Sequence, residues 1–332
     1  QNIPYKDTKE TQRMREVLRS YNELLRRSHI DCGHLEEPYV LKSDGARINI
    51  NQRDKFVSRI FNNSSFQQGG RFYGGWWQRI SSEHRPHIMI NGLRTLEVDY
   101  SGLHPALLYA KKGVHYAAEI GGDAYAIDVP ELETKEFSRW VAKQMFLSVI
   151  NADTETKAFR ALIKNTTEEK KDNPDLVPSG VRLRFPLLRK VLQQLRDRHP
   201  LIEDMFLSGA GIDLQYIDSQ ITEKIIEHFT SLDIPILPIH DSYVIPSEYV
   251  EDLRIAMHTA FGQLTQISHP EDTFGNTTYD WAAIKQIGYN FELEDEDPAA
   301  HDELLTQIME TPVTQRYRDD WELFREWIEK RY

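Results

Sequence analysis

Two aspartates far apart in the chain, Asp99 and Asp241, each sit beside a short apolar stretch, and Arg139 and Lys143 stand between them, one helical turn apart. Paired carboxylates can hold two magnesium ions, whose hard oxygen ligands include retained waters. In a two-metal phosphoryl or nucleotidyl transfer the ions lie about 3.5–4 Å apart; one lowers the pKa of an attacking hydroxyl and the other stabilises the leaving pyrophosphate. That reaction also needs positive charge over a triphosphate, which Arg139 and Lys143 on one helical face would supply.

The elements that must position these groups are readable from periodicity. RTLEVDYSGLHPALLYAKKG begins with strand-like alternation, Leu96 and Val98 against Thr95 and Glu97, then changes to helical spacing at Leu103, Leu107 and Leu108. Asp99 lies at the changeover, held by a strand and reachable from a loop. SLDIPILPIHDSYVIPSEYVEDLRIAM predicts two short strands around His240 and Asp241 and a helix from near Glu248. Residues 133–151 predict the helix that carries Arg139 and Lys143. A second helix is expected around 159–163, a Pro/Gly loop over 173–180, a basic helix over 186–198 and a long helix over about 216–229.

Upstream, residues 8–28 predict an amphipathic helix, 33–50 loops and short strands, and 52–61 a second helix ending at Asn62 and Asn63. In GGRFYGGWWQRI four glycines surround two tryptophans, a tyrosine and Arg71. Such a segment either plugs a core as an aromatic hairpin or meets a nucleic-acid strand by stacking and through Arg71 or Arg79. From Thr314 a Trp- and Arg-rich amphipathic helix with Trp321, Phe324 and Trp327 is expected to pack back on the body. There is no internal repeat.

The 332 residues, 40% of them hydrophobic, suffice for a proper core. No run reaches the roughly 18–20 apolar residues of a membrane helix and no signal peptide is legible, so a soluble, cytoplasmic protein is expected. One cysteine, Cys32, excludes an internal disulfide and any multi-cysteine zinc site. A net charge of -12 argues against nonspecific coating of nucleic acid, although VRLRFPLLRKVLQQLRDRH concentrates Arg182, Arg184, Arg189, Lys190, Arg196 and Arg198 into a local basic segment. Much of the acid sits in FELEDEDPAAHDELL, read as a solvated linker or surface.

Other chemistries fit poorly. Cys32 with His34, His84 and His87 has no recognised metal-ligand spacing. Gly121-Gly122 and Gly209-Ala210-Gly211 lack the following Lys of a phosphate loop, and the serine of HDSY has no Gly-x-Ser-x-Gly setting.

DYSGLHPALLYA resembles motif A of family A DNA polymerases, and PIHDSYVIP resembles motif C, closest to that of phage and mitochondrial single-subunit RNA polymerases. Arg139 and Lys143 have the Arg-x-x-x-Lys spacing of the fingers helix of both groups. LQYIDSQITEKI resembles the helix before motif C, with Gln215 at its glutamine, and GRFYGGWWQ resembles more weakly the Gly-Arg segment before motif A. The likeness spans about residues 70–261.

It implies an α+β right-hand palm, a small antiparallel sheet backed by helices, with a helical fingers insertion and a reduced thumb-like N-terminal region. The divisions expected are 1–60 thumb-like, 61–113 palm with motif A, 114–200 fingers, 201–285 palm with motif C, and 286–332 acidic linker and final helix. The implied activity is template-directed extension of a 3'-hydroxyl with two Mg2+ or Mn2+ ions, nucleoside triphosphates, and DNA or RNA template and primer, with any processivity partner undefined. The resemblance gives Asp99, Asp241 and the Tyr100 carbonyl to the metals and Arg139 and Lys143 to the triphosphate. It has Lys143 protonate the pyrophosphate, and gives the primer end to His240 and Gln215 and strand contact to Arg71.

Two positions depart from the pattern. His104 stands where DNA polymerases of this family carry the Glu that blocks a ribose 2'-hydroxyl, and Asn151-Ala152 replaces a Tyr-Gly pair. Asn151 can hydrogen-bond a ribose or base edge but cannot stack. Template-independent transfer and a catalytically silent, nucleic-acid-binding relative are therefore the alternatives.

Overall fold

The computed structural model describes residues 3–42, 45–100, 102–120, 123–266, 284–287 and 310–331. The acidic stretch 291–305, Ser101 and the Gly121-Gly122 pair lie outside the described residues.

Strand β7 (Leu93–Tyr100) organises the fold. Its first residues pair with β6 (Ile88–Ile90), which continues to β1 (Ile30–Cys32). Along its length β7 pairs with β9 (Ser242–Pro246), which pairs with β8 (Leu237–Ile239). On the edge shared with β6, β10 (Ile284–Ile287) pairs with the far half of β7, with Lys285 opposite Asp99 in register. All these pairings are antiparallel. The small hairpins β2–β3 (Tyr39–Leu41, Arg47–Asn49) and β4–β5 (Ser58–Phe61, Gly69–Tyr73) stand apart from this sheet.

Residues alternate across a strand, so β7 has two distinct faces. Val98 and Tyr100 face helices: the Tyr100 hydroxyl donates to the Met257 carbonyl of α8 (Val250–Thr265). From β9, the Tyr243 hydroxyl bonds Thr222 of α7 (Gly211–Ser231) at 2.9 Å. Thr95, Glu97 and Asp99 share the other face. Thr95 and Glu97 are buried there, although their polarity reads in sequence as the solvent side.

The helices form where polar caps and apolar spacing agree. α1 (Lys9–Arg27) starts at a reciprocal Thr8–Thr11 cap and buries Met14, Tyr21, Leu24 and Leu25. It packs against α7, and the Tyr21 hydroxyl donates to the Ile236 carbonyl. α2 (Leu103–Lys111) follows β7 directly. α3 (Tyr116–Ile120) is short. α4 (Lys135–Asn151), capped by Thr134, α5 (Glu155–Asp172), capped by Thr154, and α6 (Phe185–Arg198) pack together. The final helix α9 (Gln315–Glu329) is capped by Thr314, and its Tyr317, Trp321 and Phe324 rings surround the buried His29 at 5.2–5.5 Å between centroids.

The helix expected over 52–61 is replaced by a turn and strand β4. Asn51 Oδ1 accepts from the Arg53 and Asp54 N–H groups at 2.8 and 2.9 Å, which bends the chain. Asn22 of α1 then bonds both the N–H and the carbonyl of Val57, at 2.8 and 2.9 Å. That capture extends the backbone and delivers residues 58–61 to β5. The tryptophans of the glycine-rich segment plug the core: Trp76 and Trp77 are fully buried, and Trp77 Nε1 donates to the Pro238 carbonyl at 3.2 Å. They are not available to stack on a strand. Arg79 pairs with Asp54 at the surface.

Candidate active site

Asp99 and Asp241 come together at the ends of neighbouring strands. Asp99 is opposite Ser242 in the β7–β9 register, and the Tyr100 N–H donates to the Asp241 carbonyl at 3.3 Å. Asp99 Oδ1 is buried and has no hydrogen-bond partner. Burial, then the charges of Asp241 and Glu97, hold the Asp99 carboxyl well above its ordinary range, opposed by the Lys143 ammonium.

Glu97, two residues before Asp99 on the same face, is tied down. It accepts from Arg85 at 2.7 and 3.3 Å and from the Ser242 hydroxyl at 2.6 Å. Its oxygens brace the strand pair beneath the two aspartates.

Lys143, half-buried on α4, makes no ion pair or hydrogen bond among the described residues, and its charge acts on Asp99. Arg139, one turn earlier, is held by Asp123 at 2.9 and 3.3 Å and lies over the Tyr125 ring. The two cations expected to act together therefore differ: the Arg139 charge is offset and the Lys143 charge is not.

Around Asp241 stand His104, Arg71 and Asp218, and the Asp241 charge acts on all three. Burial pulls the His104 imidazole down to about 4, so it is neutral at ordinary pH. Asp218 is fully buried on α7; burial pushes its carboxyl up to about 7 against the pull of Arg71. Arg71 Nε donates to Asp218 Oδ2 at 2.6 Å. His240 has φ of +59°, a left-handed conformation unusual for a residue with a Cβ, and its ring meets the edge of Tyr73 at 5.6 Å.

Two further expected residues lie on α4 and α7. Asn151, at the end of α4, donates to the Leu147 carbonyl at 2.7 Å and presses on Gly211, where a Cβ would meet its Oδ1 at 2.0 Å. Gln215 follows one turn further along α7, half-buried. The Tyr100 side chain lies behind the sheet.

Sequence reasoning did not single out Glu97, Asp123 or Asp218 as parts of the site. Period-two spacing from Asp99 marks Glu97. Nothing local marks Asp218, one polar residue on an otherwise ordinary helix.

Among the described residues no three His, Cys, Asp or Glu side chains form a metal-holding group. The pair still fits a hard divalent ion, since Asp99 Oδ1 is an orphaned buried carboxylate oxygen beside a second carboxylate. Mg2+ and Mn2+ accept one or two protein carboxylates and complete their shells with water and substrate oxygens. His34, His84 and His87, dispersed in sequence, do meet. His34 Nε2 and His84 Nδ1 lie 3.1 Å apart, and the His34 and His87 rings 4.1 Å apart. Burial lowers His34 to about 3 and lowers His87 as well.

No protein-family model matches the chain, and no curated protein matches it. No helix among the described residues is long and apolar enough to cross a membrane.

Proposed function

We propose that this chain is a nucleotidyltransferase of the polymerase type, which extends a 3'-hydroxyl on a template through the carboxylates Asp99 and Asp241. The observation that carries this is the orphaned, charge-crowded Asp99 carboxyl beside Asp241, with the Lys143 charge acting on it from α4. On this reading the β7–β9 pair is the palm, and α4 to α6 are the fingers.

Divalent ions bound by Asp99 and Asp241 would supply the activated 3'-hydroxyl and the charge stabilisation of the departing pyrophosphate. The residues do the remaining work. Lys143, with no competing anion other than the aspartates, binds the triphosphate and stands as proton donor to the leaving group. Arg139, tethered by Asp123, orients rather than neutralises. Glu97 fixes the floor through Arg85 and Ser242. His240, held in its strained turn, and Arg71 address the strand end. Neutral His104 beside Asp241 faces the sugar without adding charge. A reducing, nucleotide-rich cytoplasm suits a chain whose single cysteine is free and buried.

Asn151 favours a second reading. Folded onto α7, it offers no flat ring at the place where a templated pair would be checked, which suits template-independent tailing. Primer strands with and without template, in DNA and RNA, each offered ribo- or deoxyribonucleotides, separate the two. Loss of extension in Asp241→Asn with an unchanged fold is expected, and undiminished extension by that variant removes both readings.

A further inference from the structure

Arg139 and Asp123 meet edge to edge. Arg139 Nε donates to Asp123 Oδ2 at 2.9 Å and Nη2 to Oδ1 at 3.3 Å, a two-bond pair whose side chains are 19% and 26% exposed. Asp123 stands in the loop between α3 and α4, and that loop is fixed independently of Arg139. The Tyr125 N–H donates to Asp123 Oδ1 at 3.1 Å. Arg198 Nε donates to the Asp123 carbonyl at 2.8 Å, and His199 Nε2 meets the Ala124 carbonyl at 2.8 Å, so the end of α6 anchors the loop.

The pair borders the candidate site. Arg139 is one turn before Lys143 on α4, and the Lys143 charge acts on Asp99. The Arg139 guanidinium lies over the Tyr125 ring at 5.7 Å, and the Asp241 charge acts on Tyr125.

Two cations one turn apart on a helix would together attract a polyphosphate strongly. Asp123 takes one of them out of that count, because the charges of a close pair largely cancel beyond the pair. The guanidinium keeps its place, and Lys143 carries the attraction for phosphate. Weak attraction suits a site that releases pyrophosphate after every addition, since contacts that hold substrate and product alike do not speed the chemical step.

We propose that Asp123 sets the phosphate affinity of the site: it neutralises Arg139 in place, so that nucleotide and pyrophosphate are held through Lys143 and leave quickly. The proposal rests on the nucleotidyltransferase reading for its ligands and on the Arg139–Asp123 pair for its mechanism. Asp123 is a positioning residue, acting through Arg139 rather than on the substrate.

The test uses the full chain with Mg2+, inorganic tripolyphosphate as the calorimetric ligand, and a primer–template with nucleoside triphosphates for extension. Asp123→Asn keeps the size of the side chain and an acceptor for the Tyr125 N–H while removing the charge. It is expected to tighten tripolyphosphate binding about tenfold, the scale of one added charge-assisted contact. Nucleotide KM should fall with it, pyrophosphate inhibition should strengthen, and kcat should fall as release slows. Binding should also become more sensitive to salt. Asp123→Asn combined with Arg139→Gln has the charge count of the wild type and should bind tripolyphosphate within about twofold of it.

A carboxylate that only braced the fold would not oppose ligand binding, so unchanged or weakened tripolyphosphate binding in a folded Asp123→Asn overturns the proposal. If Asp123→Asn is too unstable to assay, the double variant decides, because it strands neither charge: binding weaker than wild type by about tenfold or more overturns it. The expected affinities in a protein that extends no primer uphold the role of Asp123 and defeat the enzymatic reading. Tripolyphosphate binding by neither the wild type nor Asp123→Asn defeats both.

Discussion

Tyr100 and Asp241 are joined backbone to backbone, the Tyr100 N–H donating to the Asp241 carbonyl at 3.3 Å, so the residue after Asp99 is bonded to the other aspartate of the pair. The two carboxylates cannot drift apart without opening the sheet. Asp99→Asn is expected to cut nucleotidyl transfer by on the order of a thousandfold, the scale of losing a preorganised charge partner. Because burial and like charge oppose ionisation of Asp99, the same change should leave the melting temperature unchanged or raised. Calorimetry beside primer extension checks both, and a fold loss with full activity in the remainder would contradict the assignment.

Millimolar Mg2+ or Mn2+ should raise the melting temperature of the wild type, since a ligand bound only by the folded state stabilises it. Asp99→Asn and Asp241→Asn should each abolish the increment. An equal shift in all three proteins would place the ion elsewhere.

Lys143→Met and Arg139→Met should separate. The first removes a charge that has no ion-pair partner among the described residues, so nucleotide KM should rise with little change in stability. The second strands Asp123, and a cost of about 1 kcal/mol is expected from this partly exposed pair. Denaturant melts and nucleotide titrations read the two effects; identical profiles would refute the division of labour.

His240→Gly should relieve the left-handed backbone, adding roughly 0.5–1 kcal/mol of stability. Primer use should fall at the same time, because the ring against Tyr73 is gone. Stability that drops on this change would mean the turn is not strained.

Burial under α9 lowers His29 from its ordinary 6.5 to about 3. The unfolded chain therefore binds the extra proton throughout that window, so the stability from this group is complete above about pH 6.5 and is lost as pH falls towards 3. Trp321 fluorescence should report α9 loosening on acidification. His29→Phe should blunt that response, leaving the share due to His34, which shifts in the same direction.

The sequence carries the strand-to-helix change at Asp99, the His240 turn and the Thr314 start of the last helix because each is written in neighbouring residues: alternation, a polar turn, a cap. Residues 58–61 misled because the partner that extends them, Asn22, lies on another helix. The buried Trp76–Trp77 pair could equally have faced a ligand, and only the Pro238 carbonyl decides it. Arg71 was visible as a candidate, but Asp218, which accepts from its Nε, is a tertiary neighbour with no local sign.

The Ser242 hydroxyl reaches Glu97 across a separation of 145 residues. Closing so long a loop is entropically costly and comes after local helices form. A nascent chain that has emerged only as far as Phe229 already contains α2 to α6 and nearly all of α7, and half of the charge pair, yet it has no floor on which to assemble the other half. Partial chains thus hold the strand that bears Asp99 without the strand that closes on it.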